Sequence, residues 1–487
     1  MTASQQENSV TQFRAGVGRA DITDYDAGAV NDPLYVKALA LSNGATTVVL
    51  VTVDAVALGE IGRIGNEFVP NVRSRIHAEL GLDPENMLMG ASHCHGTVCA
   101  DAEDLAVQAV MEACGTMVPV TIGAGAGHED RIMENRRLKL KNGREADVRH
   151  AYSLPPDEEV AAVGPVDPEI GVLRLDREDG RPLAVVYNFA CHPIQTVPNG
   201  GNTADIAGFA SQAIEDSLGH DATALFLQGC GGDINPVFYK DVDHPRDAEP
   251  LGSMLGLSVL KALGQISCDA EGELRVVRET LELPRADLRP FIEATQTEQM
   301  RLLQSLAGTS IDLKEFLHLV AKHSLSPDFP SYASHRYLYE RALGRDDLKQ
   351  QDARNKSNVE RYRKNILVME QLTRLQVNLG LLKMHQAQNE AAGSNTIEIE
   401  ILALKVGDFV MVTFPGELSV QIGLGIKSRA PRKLTFVATN TNGYIYYAPT
   451  AEQLENRGNA QEDSDSILAP EWQALFEEKV HAMLARL

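Results

Sequence analysis

No stretch of the 487 residues reaches the roughly 18–20 consecutive apolar side chains that a membrane-spanning helix needs, so no integral membrane segment is expected. The opening stretch from Met1 to Gln12 is polar and lacks the apolar centre of an export signal. Cysteine is scarce: six occur, none in a C-x-x-C pair, which fits reduced thiols better than a disulfide framework. Cys94, Cys191 and Cys230 lie inside apolar segments and read as reduced thiols, so a cytoplasmic protein is expected. Basic charge is also short, with 45 Lys and Arg against 67 Asp and Glu, a formal net charge of −22. That balance argues against nucleic acid and against adsorption to anionic membranes, since both need clustered cations. The apolar share of 44% with 39 glycines excludes disorder or a fibre. The length exceeds one simple core and calls for two or three lobes.

Strand and helix signals alternate over residues 13–284. Thr46 to Val53 is a continuous β-branched run, as in a strand buried on both faces. Val72, Ile76 and Leu80 follow at helical spacing, closed by Gly81. Met87 to Ala91 is a second apolar run. Ile170 to Leu175 and Leu183 to Phe189 flank Glu178-Asp179-Gly180, a hairpin signal. Between 285 and 395 charges become dense, and Val368, Leu372, Leu375, Leu379 and Leu382 form one stripe of a long amphipathic helix. Its expected partner is a helix over Phe291 to Leu306, giving an antiparallel hairpin and a surface through which copies of the chain associate. Strands resume over 396–487. These signals define an α/β protein: a mixed-sheet core flanked by helices, built from 13–284 and 396–487 and interrupted by a helical insertion at 285–395.

Good metal ligands stand at the ends of four apolar runs. They lie in Ser92-His93-Cys94-His95-Gly96, Cys191-His192-Pro193, Pro415-Gly416-Glu417 and the tyrosine-rich segment Asn442 to Tyr447. Imidazole, carboxylate and phenol together can hold a zinc ion that keeps one position for water. In extended backbone, residues two apart share a face, so His93 and His95 are expected to enter one pocket while Cys94 points away. Strand ends are where open α/β sheets commonly present functional groups. Asp205, before an apolar helix, is read as a helix cap, with support of a ligand imidazole as the other reading.

These segments resemble those of the neutral ceramidase family. Gly18 to Thr23 (G-R-A-D-I-T), expected to start the first strand and pack it, is similar to that family's opening motif, and Ser92 to Gly96 resembles its T-H-T-H-S-G. Phe189 to Pro193 resembles F-A-V-H-P, Phe414 to Glu417 resembles P-G-E-F, and Asn442 to Thr450 resembles N-T-Y-T-x-Y-x-A-T. The resemblance implies Zn2+ held by His93, His192, Glu417 and Tyr447. It implies His95 as a hydrogen-bond donor or proton shuttle, Arg136 as a contact for carbonyl or substrate against a surface ion pair, and Tyr444 as a competing ligand or acid. A family serine is replaced by Asn235, and a family tyrosine by Asn459. The implied activity is hydrolysis of an N-acyl bond by metal-activated water, without an acyl-enzyme, on a small soluble amide rather than ceramide. A metal-dependent esterase or lactonase, and a non-catalytic binding protein on the same fold, are the alternatives.

Overall fold

The computed structural model describes residues 12–148, 154–196, 201–219, 221–239, 241–330 and 333–487, so all but the last residue of the polar opening stretch lies outside it. The largest element is an eight-stranded sheet. It contains β1 (Arg14–Asp21), β2 (Tyr35–Ser42), β3 (Thr47–Val53), β4 (Met87–Ala91), β5 (Val118–His128), β10 (Glu169–Arg177), β11 (Pro182–Phe189) and β12 (Thr223–Gln228), in the order β12-β11-β10-β5-β1-β2-β3-β4. A four-stranded sheet is built from β14 (Leu274–Pro284), β15 (Thr396–Val406), β16 (Phe409–Thr413) and β18 (Thr435–Ala438). The expected hairpin is the antiparallel β10–β11 pair, and the β-branched run is β3, buried from Val48 onward. Short pieces complete the strands: β6 (Met133–Asn135) pairs with β13 (Ile234–Pro236), and β7 (Arg137–Leu140) lies between β8 (Glu145–Asp147) and β9 (Val160–Val163). The last pair is β17 (Glu417–Leu418) with β19 (Tyr447–Ala448).

The two large sheets face each other. Leu39, Leu50, Leu173 and Leu225 of one meet Leu274, Leu402, Met411 and Phe436 of the other in a single apolar core. Helices α1 (Phe68–Leu80), α2 (Ala102–Gly115), α3 (Asp205–Leu218) and α4 (Glu249–Leu263) cover the outer face of the first sheet. Later in the chain come α5 (Arg289–Ser305), α6 (Leu313–Leu325), α7 (Ser334–Ala342) and α8 (Asp347–Ala391), followed by α9 (Val420–Arg429), α10 (Ala451–Leu454), α11 (Gln461–Ser464) and α12 (Trp472–Leu484). Of these, α9 and α12 cover the second sheet, where Trp472 and Phe476 are fully buried. Each fully buried large apolar side chain contributes roughly 1.5–3 kcal/mol relative to exposure, so the layers hold together by area rather than by any one contact. The arrangement is a mixed α/β sandwich of four layers.

Two sequence expectations change. The G-R-A-D segment closes the first strand rather than opening it. Its packing role has a clear cause, because a Cβ at Gly18 would stand 2.2 Å from the Ala109 carbonyl oxygen of α2. The helical stretch is not a simple hairpin. α5 does lie along α8, with Gln299 donating to Gln376 at 2.8 Å, but α6 and α7 are added between them.

Candidate metal centre

Three strand–helix–strand units give parallel pairs, β3–β4 through α1, β11–β12 through α3, and β16–β18 through α9. Each unit ends a strand at the same place. β4 leads to His93, β11 to His192 and β16 to Glu417, all three buried. Their ligand atoms lie within 4.8 Å of one another, forming a group that could hold a metal ion.

The backbone fixes both imidazoles in one tautomer. The Nδ1 of His93 is 2.7 Å from the Val56 carbonyl oxygen, and that of His192 is 3.0 Å from the Ile234 carbonyl oxygen. A carbonyl only accepts, so each Nδ1 carries the proton and each Nε2 presents a lone pair. Those lone pairs point at Glu417 Oε2, 3.2 Å from His93 Nε2 and 2.9 Å from His192 Nε2. Burial and the nearby Arg136 push His192 down to about 4, so its ring is neutral at ordinary pH. Acceptor atoms facing one another in a buried site call for a cation between them. The donor set, two imidazoles and a carboxylate, therefore fits a divalent metal such as zinc.

His93 reaches this position by an unexpected route. β4 stops at Ala91, and His93 has φ 70°, in the left-handed region that costs non-glycine residues about 1–3 kcal/mol. Strand alternation therefore does not place His95. Its ring lies 5.6 Å from that of His93 and is exposed, at the mouth of the centre rather than inside it. Cys94 is buried within the first core and Cys191 within the core under α3, and neither belongs to the ligand group.

Tyr447 lies on β19, which pairs in parallel with β17 so that it stands opposite Glu417, and Tyr444 lies in the segment just before this strand. Gly232 allows the loop after β12 to cross this ladder, since a Cβ there would meet the Glu417 carbonyl oxygen at 2.9 Å. The Tyr447 hydroxyl is 3.3 Å from His192 Nε2 and accepts from Arg136 Nη2 at 3.3 Å. The Tyr444 hydroxyl donates to Glu417 Oε1 at 2.5 Å. Burial and the Glu417 charge raise the Tyr444 phenol well above its ordinary value, so this proton stays in place.

Arg136 is not at the surface. It is fully buried, ion-paired to Glu462 at 2.6 Å, and donates to the Gly232 carbonyl at 2.5 Å and to Asn235 Oδ1 at 3.1 Å. Removing either member of such a buried pair typically costs about 3–5 kcal/mol. The neighbouring Arg137 pairs instead with Asp463, so two adjacent arginines are held by two adjacent acids. Sequence reasoning missed Glu462 and Asp463 because nothing in their local pattern separates them from the many surface acids. Asp205 accepts from the backbone N–H groups of Gln195 and Thr196, each at 3.0 Å, as well as from Ile206 of its own helix. It thus fastens the loop that follows His192; the N-cap of α3 is Ala204, so Asp205 is not the helix cap the sequence suggested. Asn459 stands apart from the triad, lining a cavity of about 230 Å3 with Leu302 and Arg374 where α8 meets the core.

Among solved structures, the chain is similar to the neutral ceramidase from Pseudomonas aeruginosa, with a TM-score of 0.61 at 15% identity, over 97% of this chain and 74% of that one. It is similar to a ceramidase complexed with C2, with a TM-score of 0.62 at 17% identity, over 97% and 75% of the two chains. No protein-family model and no curated protein matches the sequence. The fold is therefore that of the neutral ceramidase structures, and it carries a His/Glu centre able to hold a metal.

Proposed function

We propose that this protein is a zinc-dependent hydrolase that cleaves the N-acyl bond of a small, soluble amide other than ceramide. The observation that carries this reading is the pair of imidazoles locked at Nδ1, whose bare Nε2 atoms converge on Glu417. When bound, zinc lowers the pKa of water to about 7 and polarises an acyl carbonyl, both of which an amide needs. The chain's own groups divide the remaining work. Tyr444 orients the Glu417 carboxylate, Arg136 holds the Tyr447 hydroxyl against the centre, and Tyr447 is the fourth ligand. Asn235 offers its NH2 group to the substrate because its oxygen is taken by Arg136. His95, exposed at the mouth, delivers a proton to the leaving amine.

The test is metal analysis followed by a hydrolysis panel. The purified protein should contain about one zinc per chain, and His93→Ala or His192→Ala should lose both metal and turnover. N-acyl compounds should be cleaved faster than matched esters. Full metal occupancy in both variants would remove the basis of this assignment, and an ester-only profile would make the enzyme an esterase.

A further inference from the structure

The long helix α8 has 45 residues, about 67 Å of helix at 1.5 Å per residue. Its two ends do different things. The C-terminal half is tied to the core: Arg374 Nη1 donates to the Asp147 carbonyl at 3.0 Å, and His385 Nε2 lies 2.7 Å from Asp465. The N-terminal half carries α6 and α7. Phe316 of α6 stacks on Tyr362 at 4.7 Å, and Tyr337 of α7 donates to Asp352 at 2.7 Å. These attachment points lie roughly 18 and 33 Å beyond Arg374 along the helix axis. Residues 306–330 and 333–365 thus form an arm projecting from the body.

The arm presents apolar surface outward. Leu313, Leu317 and Val320 recur at helical spacing along α6 and are 55%, 58% and 37% exposed, while Leu319 between them is buried. On α7, Leu338, Tyr339 and Leu343 are 55%, 66% and 49% exposed, with Tyr337 turned inward. Together these six expose on the order of 600 Å2, approaching the ~800 Å2 per partner of a standard interface once their polar surroundings are added.

Charge selects the occupant. The arm has 11 Lys and Arg against 8 Asp and Glu, a net of +3, so the rest of the −22 chain carries −25. Two such bodies repel at close range, but the repulsion fades beyond a Debye length of about 8 Å at physiological salt. The arm is less acidic than the rest of the chain, exposes these apolar side chains and stands away from the acidic body. We infer that two copies of the chain associate through the outer faces of α6 and α7, arm against arm, with the acidic bodies held apart. This inference is independent of the proposed activity.

Sedimentation velocity on the full chain tests it. The expected species has twice the 53.0 kDa chain mass, and association should change little between about 0.15 and 0.5 M salt, since the arms hold the bodies farther apart than a Debye length. The double variant L317E/L338E should be monomeric with an unchanged circular dichroism spectrum. Should it fail to fold, the single change L313K is judged by the same criterion. A wild-type chain that stays monomeric at all concentrations overturns the inference, as does a dimer indifferent to these substitutions. A dimer weakened by salt would mean that the arm docks on the partner's acidic body instead. Binding of wild-type monomer to phosphatidylserine-containing vesicles, lost in L317E/L338E, would make this face a lipid contact and overturn the inference.

Discussion

At the scale of single residues, the centre is defined by what surrounds the ligands. Cys230 sits near it on a glycine-rich loop and would be the obvious thiol nucleophile, but it is buried, and burial pushes its thiol well up. Cys230→Ser is therefore expected to change turnover less than about twofold, whereas Asn235→Ala should lower kcat/KM by about tenfold or more with metal content intact. A burst of leaving group abolished by Cys230→Ser in rapid-mixing kinetics would contradict this. Asp32 supplies a second prediction. Burial raises it to about 7 despite hydrogen bonds from Thr203 and the Ala204 N–H. Its folded value exceeds the unfolded one, so folding takes up a proton between about pH 4 and 7 and stability falls as pH rises through that window. Asp32→Asn removes this dependence, so its stability relative to wild type should be better at pH 8 than at pH 5. Denaturant titrations at the two pH values check the sign, and an equal difference at both would show that Asp32 titrates normally.

At the scale of elements, α8 meets the centre through a chain of polar contacts. His385, fully buried, also bonds Gln388, and Gln388 donates to the Tyr446 hydroxyl at 2.9 Å. Asp465, which holds His385, accepts the Tyr447 N–H through its backbone at 3.1 Å. His385→Ala should destabilise the protein by about 2–4 kcal/mol, because it strands buried partners in a connected network. It should also reduce turnover with metal retained, as followed by denaturation midpoint, metal content and kcat. The regular elements were legible in sequence where one physical signal dominates. The β-branched run of β3, the Glu-Asp-Gly turn before β11 and the leucine stripe of α8 all have one reading. The three- and four-residue strands β6 to β9 were not legible, being too short to show alternation. For the centre, the residue types and their places after apolar runs could be read. The left-handed turn at His93 and the Arg136–Glu462 pair could not, since both are set by distant parts of the chain.

At the scale of the whole molecule, the centre joins the two halves of the sandwich. His93 and His192 follow strands of the eight-stranded sheet, while Glu417 follows a strand of the four-stranded one. A metal bound only by the folded chain at about 1,000 times its Kd stabilises it by about 4 kcal/mol. Chelation should therefore lower Tm, by on the order of 4 °C. His93→Ala should start from the lower value and show no further drop, which scanning fluorimetry can read. The two-residue ladder that sets Glu417 beside Tyr447 has a further consequence during synthesis. A ribosome delivers His93 and His192 first and the partners of that ladder only after more than two hundred further residues. The unfinished chain thus holds two imidazoles without their carboxylate, and the metal-holding group is complete only once this ladder has closed.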